Sequence, residues 1–338
     1  MEESSWREWS APMADWPGTV GRSGGKTELD KIVLFGGSGY VGSAFQRYLR
    51  RRELPYAAPS RKEVGLLHPE SIARFLDEVK PTFLINAAGY TGRPNVDACE
   101  DHKSECLLGN AVLPGVLARV CAERGLPWGH VSSGCLYTGD RGVGLNGERL
   151  GFREEDPPNF CFRTNNGSFY SGTKALGEEI LAADGSCYLW RLRIPFSGVD
   201  SSKNYLTKLV RYERLLDARN SLSQLDDFVR AAFECWERRA PFGIYNVVNP
   251  GSVTTREVIE LLEGSPFGRK LVAAGKRFVF FSDEEEFRRV ARAPRSNCVL
   301  DSSKLLSLGI VLEEVHEAVE RAWNQWQPEA ATQGRKGG

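Results

Sequence analysis

Tyr170 and Lys174 stand four residues apart in "GSFYSGTKALGEE" (167–179). On a helix that spacing puts both side chains on one face. A tyrosine with an ordinary pKa near ~10 is a poor acid or base at neutral pH. A neighbouring ammonium and the positive ring of an oxidised nicotinamide both favour phenolate, so a lowered Tyr170 pKa is expected. Tyr-x-x-x-Lys also arises by chance on helix surfaces, and order along the chain gives it meaning. A glycine loop comes first, then "VSSGCLYTG" (131–139), then the Tyr-Lys pair. Ser133 is expected to hydrogen-bond a substrate carbonyl oxygen, with Ser132 the alternative if the strand register shifts by one. Cys135, two residues further on, must end near whatever Ser133 binds. A free cysteine is most often a small buried hydrophobe, but a thiol with a pKa near ~8.5 also exchanges protons close to neutral pH. Both readings of Cys135 stay open at this point.

The elements that must position these groups alternate. "KIVLFGG", "PTFLINAAG" and "LPWGHVSSG" are short apolar runs of the kind that form buried parallel strands. Helical stretches such as "PESIARFLDEVK" and "AVLPGVLARVCAERG" separate them. This rhythm predicts an α/β fold with a doubly wound parallel (Rossmann) sheet over 30–195. A smaller, mainly substrate-binding lobe is expected over 196–328. Residues 1–29 read as a loosely ordered extension and 329–338 as a flexible tail. In "LFGGSGYVG", Gly36, Gly39 and Gly42 let the backbone approach a pyrophosphate seated on a helix N-terminus. Ser38, Tyr40 and Val41 complete that loop. In "LPYAAPSRKEV" no acid stands where the second strand should stop, the place of a ribose 2′-hydroxyl ligand. Ser60, Arg61 and Lys62 follow, which favours a 2′-phosphate and so NADPH; an ordinary solvated basic turn is the bland reading.

Lys+Arg and Asp+Glu are both 44 in 338 residues, which speaks against a nucleic-acid partner. No apolar run in the sequence approaches the ~18 residues of a membrane span. The N-terminal stretch has neither the basic nor the apolar region of a secretory signal. Eight cysteines without a C-x-x-C pair and four scattered histidines make a metal site improbable. Reduced thiols in a cytoplasmic protein are the simplest expectation.

The order of glycine loop, serine-bearing strand and Tyr-x-x-x-Lys resembles the extended short-chain dehydrogenase/reductases from about Lys31 to Trp326. "INAAGYTGRPNVDACE" (85–100), "SSGCLY" (132–137), "GFREEDPPNF" (151–160), "GSFYSGTKA" (167–175), "NYLTKLVRYE" (204–213) and "APRSNCVLDSSKL" (293–305) narrow the likeness. Together they resemble the bifunctional nucleotide-rhamnose synthase 3,5-epimerase/4-reductases, relatives of the dTDP-4-dehydrorhamnose reductases. The resemblance implies an NADPH-dependent reduction of a nucleotide 4-keto-6-deoxyhexose with 3,5-epimerisation. It implies Tyr170 as proton donor, Ser133 (usually threonine in the family) on the carbonyl oxygen, and Lys174 on the cofactor ribose. Cys135 and Lys208 match the family's epimerising acid–base pair. Asn86, Ala87, Ala88 and Asn110 match cofactor-side positions. Arg93, Asn95 and Asn204 are expected near the sugar, and Arg295 and Asn297 near the nucleotide phosphates. The segment "RTNNG" (163–167) lengthens a loop that can line the sugar site. A homodimer is possible by analogy. A reductase without epimerase activity, or a non-catalytic NADP-binding subunit, are the competing readings.

The basic turn generates a first prediction. Arg61→Ala combined with Lys62→Ala should weaken NADPH binding far more than NADH binding in titrations of cofactor fluorescence. Equal losses for the two cofactors would overturn the 2′-phosphate assignment.

Overall fold

Four consecutive buried residues form each of the first two full strands of the sheet, all apolar in β1 (Ile32–Phe35) and apolar up to the closing Asn86 in β3 (Phe83–Asn86). Between them run α1 (Tyr40–Arg51), the short strand β2 (Tyr56–Ala57) and α2 (Pro69–Val79). The computed structural model describes residues 31–93 and 95–328 of the chain. The expected extension over 1–29 and tail over 329–338 lie outside them. Next come α3 (Lys103–Leu107), α4 (Leu113–Ala122), β4 (Trp128–Ser133), α5 (Phe169–Leu181) and β5 (Cys187–Leu192). The six-stranded sheet has the order β2-β1-β3-β4-β5 followed by Gly243–Asn246, and every pairing is parallel. The expected doubly wound fold is therefore present. The chain leaves β1 towards β2 and returns to β3 on the other side. This reversal opens a crevice at the carboxyl ends of β1 and β3, where such sheets bind ligands.

Two apolar layers sandwich the sheet. Phe45, Leu49, Phe83, Trp190, Phe228 and Trp236 pack on one face, and Val33, Leu76, Leu117, Val120, Trp128 and Leu189 on the other. The second layer contains α4, which continues α3 through a π-helical segment at Leu108–Val112. That continuous helix, Lys103–Ala122, is long and apolar enough to cross a membrane by length and composition, a stretch the sequence reading passed over. Here Leu113, Leu117, Val120 and Cys121 are buried against the sheet, as in a core helix.

The lobe is not one contiguous C-terminal segment. The helix Leu225–Glu237 and the strand Gly243–Asn246 return to the sheet, and Leu305, Ile310 and Leu312 pack on its face. The lobe proper has its own core of Phe196, Leu206, Leu222, Val258, Val315 and Trp323. Two parallel strand pairs brace the region: Pro195–Phe196 with Ser223–Gln224, and Arg214–Leu215 with Val279–Phe280.

Packing inside the sheet is tight enough to be tested at one atom. A Cβ on Gly129 of β4 would lie 1.9 Å from the buried Trp190 ring. A rigid indole cannot yield as a flexible side chain can. Gly129→Ala should lower stability by about 1–3 kcal/mol through overpacking, read as a lower urea midpoint. An unchanged midpoint would show that the layer has slack.

Candidate active site

The glycine loop is built by contact. Gly36 has φ +76°, and a Cβ there would come within 2.5 Å of Ala88 N and 2.6 Å of the Ala87 carbonyl carbon. The loops after β1 and β3 thus touch, and glycine permits both the backbone angle and the approach. A Cβ on Gly42 would lie 2.0 Å from Gly36 O, so that residue lets α1 seat against the loop. Gly39 caps α1 without a side-chain hydrogen bond, and the first turn holds no acid. Its N–H groups and dipole fit a pyrophosphate. Ala58 follows β2 and faces the loop, its Cβ 3.1 Å from a Cβ built on Gly37. The exposed turn beyond it is closed by Ser60 N donating to Glu63 Oε2 at 2.7 Å. Tyr40 hydrogen-bonds Ser197 at 3.1 Å, joining the loop to the lobe.

Two residues expected on the cofactor side are structural supports. Asn110 lies in the π-helical segment and is fully buried. Its amide accepts from Tyr90 N and donates to Tyr90 O, both at 2.9 Å, and reaches Thr173 Oγ1 at 3.2 Å. It pins the loop after β3 to α5. Asn86 accepts from Ala88 N and pairs with His130 at 2.9 Å, so its amide shapes the turn. His130 is buried, with a pKa well below the ordinary value because burial disfavours its charge.

Ser132 and Ser133 point to different partners. Ser132 Oγ donates to Glu178 at 2.5 Å, and Glu178 is clamped by Arg191 at 2.8 Å. The alternative register is thereby excluded, because Ser132 belongs to a buried support. Ser133 accepts from Cys135 N at 3.1 Å and hydrogen-bonds the Tyr170 hydroxyl. Tyr170, Cys135, Cys99 and Cys106 pack in one cluster. Cys135 is half-buried, and its Sγ accepts from Arg193 Nη1 at 3.0 Å.

The expected lowering of the Tyr170 pKa is corrected. Burial pushes it well above the usual value, Cys135 adds to the rise, and the Ser133 hydrogen bond opposes it. Lys174 Nζ donates to the Val131 carbonyl at 3.2 Å. Burial brings its own pKa down to about 8. Tyr170 is consequently held as a neutral phenol.

On the lobe side, Arg93, Lys203, Lys208, Arg211 and Tyr212 line a cavity of about 510 Å³. Arg211 is neutralised by Asp200 at 2.8 Å, whereas Arg93 and Lys208 have no ion pair among the described residues. Burial, with Lys203 and Arg295 nearby, lowers the Lys208 pKa. Lys208 therefore stands with this cationic group, outside the Ser133–Cys135–Tyr170 cluster.

Four expected substrate ligands are otherwise engaged. Asn204 is fully buried, caps α6 (Tyr205–Arg211), and gives its amide to Ser197 and Val199 carbonyls at 2.8 and 2.7 Å. Arg295 forms a two-pronged ion pair with Asp97 at 2.6 and 2.8 Å. Asn95 caps the turn before Asp97, and Asn297 Oδ1 accepts from Asn220. These are anchors for chain segments rather than free ligands. The "RTNNG" loop is fastened to the outer side of α5 by Arg163 on Glu179 at 2.8 Å. Arg193, Arg191, Glu178 and Lys203 were missed from the sequence. The available signal was "WRLR", two arginines in and just after an otherwise apolar strand, which requires buried partners. Among the described residues no cluster of three His, Cys, Asp or Glu side chains could hold a metal.

A parallel six-stranded sheet with a glycine loop at its switch point and a Ser-Tyr-Lys set beside it defines a Rossmann-fold dehydrogenase of the short-chain type. The chain belongs to the RmlD substrate binding domain family, which residues 30–327 match. It is 36% identical over 284 residues to the bifunctional dTDP-4-dehydrorhamnose 3,5-epimerase/dTDP-4-dehydrorhamnose reductase of Arabidopsis thaliana, covering 84% of this chain and 89% of that relative. It is 35% identical to a trifunctional UDP-glucose 4,6-dehydratase/UDP-4-keto-6-deoxy-D-glucose 3,5-epimerase/UDP-4-keto-L-rhamnose-reductase of the same plant, covering 81% of this chain but 39% of that longer protein. The crystal structure of a UDP-rhamnose synthase from Acanthamoeba polyphaga mimivirus superimposes with TM-score 0.77 at 23% identity, covering 87% and 99% of the two chains. That of the dTDP-4-dehydrorhamnose reductase from Bacillus anthracis in complex with NADP gives 0.68 at 18% identity, covering 88% and 99%.

Lys174 makes the cost of this site measurable. Its folded pKa of about 8 lies below the ordinary 10.5, so between those values the unfolded chain binds more protons. Stability from this site therefore rises with pH across that window, and the penalty is fully present below pH 8. Without added cofactor, Lys174→Met should melt above the parent at pH 7, and the gap should shrink towards pH 10. A gap independent of pH would place the penalty elsewhere.

Proposed function

We propose that this protein uses NADPH to reduce a nucleotide 4-keto-6-deoxyhexose after epimerising it at C3 and C5, yielding a nucleotide-linked rhamnose-type sugar. The gathering of Ser133, Cys135 and Tyr170 at one strand end carries the reading. The 36% identity to a bifunctional epimerase/reductase over 84% of the chain supports it. NADPH, seated on the loop Gly36–Gly42 with Lys174 on its ribose and Arg61 at its 2′-phosphate, supplies the hydride for C4. Tyr170 gives its proton to the developing alkoxide, and its burial keeps that proton in place at neutral pH. Ser133 hydrogen-bonds the same oxygen. Before reduction, the 4-keto group acidifies the protons on C3 and C5. Cys135 and Lys208 exchange those protons on opposite ring faces, while Ser133 and Tyr170 hold the enolate oxygen. Lys208 reaches the sugar from the cavity side, and Arg93, without an ion pair among the described residues, faces the diphosphate with Lys203. Exposed Leu107, Leu108, Val112 and Ile180 on the α4 and α5 side suit a homodimer.

Three variants test this. Tyr170→Phe keeps the ring but loses the proton donor, so reduction should fall by about 10²–10⁴ while cofactor binding persists. Cys135→Ala and Lys208→Met should each abolish deuterium entry at C3 and C5 from deuterated water, yet largely spare reduction of a sugar supplied already epimerised. Deuterium entry at the parental rate in Cys135→Ala would make the protein a reductase alone. Absence of both NADPH turnover and deuterium entry with every nucleotide 4-keto-6-deoxyglucose would refute both activities.

A further inference from the structure

Arg193 directly follows β5 and is 2% exposed. A guanidinium stays charged at every pH a protein meets, and burying an ion is costly unless an opposite charge faces it. Arg191, two residues earlier, satisfies this rule with Glu178. Arg193 does not, for among the described residues it has no carboxylate partner. Its Nη2 donates to Asn220 Oδ1 at 2.5 Å and to the Ser296 carbonyl, and its Nε is buried without any partner. Its Nη1 donates to Cys135 Sγ at 3.0 Å. The next residue is strained. Ile194 holds φ +38°, a left-handed angle that β-branched residues avoid.

The titratable groups facing Arg193 are Cys135, Cys298, Tyr170 and Tyr205, all neutral when protonated. Burial raises Cys298, Tyr170 and Tyr205. Cys298 already donates to the Gly134 carbonyl at 3.3 Å, which commits its proton. Cys135 differs from these three, because its sulfur is the acceptor of the cation and lies only half-buried beside Ser133. Hydrogen bonds to an ionised partner are roughly twice as strong as neutral ones.

We propose that Arg193 is a positioning residue that makes Cys135 the proton-abstracting member of the epimerising pair. This rests on the epimerase reading above. The Cys135 thiolate takes the proton from the carbon beside the carbonyl, so an S–H bond forms as the C–H bond breaks. The released pair becomes the enolate double bond, and the carbonyl π pair moves onto the oxygen held by Ser133 and Tyr170. The Lys208 ammonium returns a proton to the opposite face. Solvent then reprotonates Lys208 and removes the proton from Cys135, and nothing is oxidised or reduced. Lys208 suits the donor role, since burial and the cations Lys203 and Arg295 favour loss of its proton.

The test is alkylation of the full-length protein by iodoacetamide without sugar, read at the Cys135 peptide by mass spectrometry. The other seven cysteines are buried. An ordinary thiol with a pKa near ~8.5 reacts about 25-fold faster at pH 9 than at pH 7. Parental Cys135 should gain less than about 3-fold over that range, because the thiolate is the reactive form. Arg193→Gln should slow the pH 7 reaction by about tenfold or more, and Arg193→Lys should restore much of it. Ordinary thiol behaviour in the parent overturns the proposal even if the variants do not fold, as does a rate unchanged in folded Arg193→Gln. Ordinary alkylation with deuterium exchange intact defeats the Arg193 role and spares the epimerase. Arg193-dependent alkylation without deuterium exchange in any nucleotide 4-keto-6-deoxyglucose defeats the epimerase reading, and with it the abstraction step, while the Arg193–Cys135 pairing stands.

Discussion

A single buried carboxylate sets the geometry of this site. Glu178 on α5 accepts from Ser132 on β4 and from Arg191 on β5. Those bonds fix the rotation and height of α5 against the sheet. Tyr170, Lys174 and Glu178 are spaced by four, so they form one stripe down the helix. Once Glu178 is locked, Lys174 must meet the Val131 carbonyl and Tyr170 must meet Ser133. Removing one partner of such a pair leaves an uncompensated buried charge, typically a cost of about 3–5 kcal/mol. The support is therefore as demanding as the chemistry it orients.

Charge is distributed unevenly around that stripe. Arg191 is neutralised by Glu178, whereas Arg193, one pleat further, is left facing neutral acids. Lys174 is buried with a backbone carbonyl for company. Lys208, Lys203 and Arg93 gather across the cavity. A site that concentrates positive charge left unpaired among the described residues suits an anionic cofactor and an anionic nucleotide sugar.

The lobe is held to the sheet by ion pairs that consume some of the cations it brings. Asp97, in the loop after β3, receives Arg295 and the Ala293 N–H, and Asp101 receives Arg292. Asn204 closes the turn that starts α6, which carries Lys208. These contacts set the position of the cavity wall. They also explain why several polar residues in recognisable sequence stretches are not free to bind ligand.

The strands, the glycine loop and the Tyr-Lys helix were legible in the sequence because each depends on local pattern. Buried parallel strands need uninterrupted apolar runs, and a close approach such as Gly36 on Ala87 and Ala88 needs a residue without a side chain. Side-chain assignments at a distance were not legible. Nothing in "VSSGC" says that Ser132 turns to Glu178 and Ser133 to Tyr170, because alternation names two faces without naming what covers them. Arg295 could have met a phosphate or Asp97, and the fold decided it 198 residues away in sequence. The sign of the Tyr170 shift also needed the tertiary structure, since burial outweighs the Ser133 hydrogen bond only once the surroundings are assembled. Sequence determined which elements form and which residue types stand at their ends. Packing across the sheet decided which of those residues stay free to react, because hydrogen bonds and charges are satisfied in space rather than along the chain.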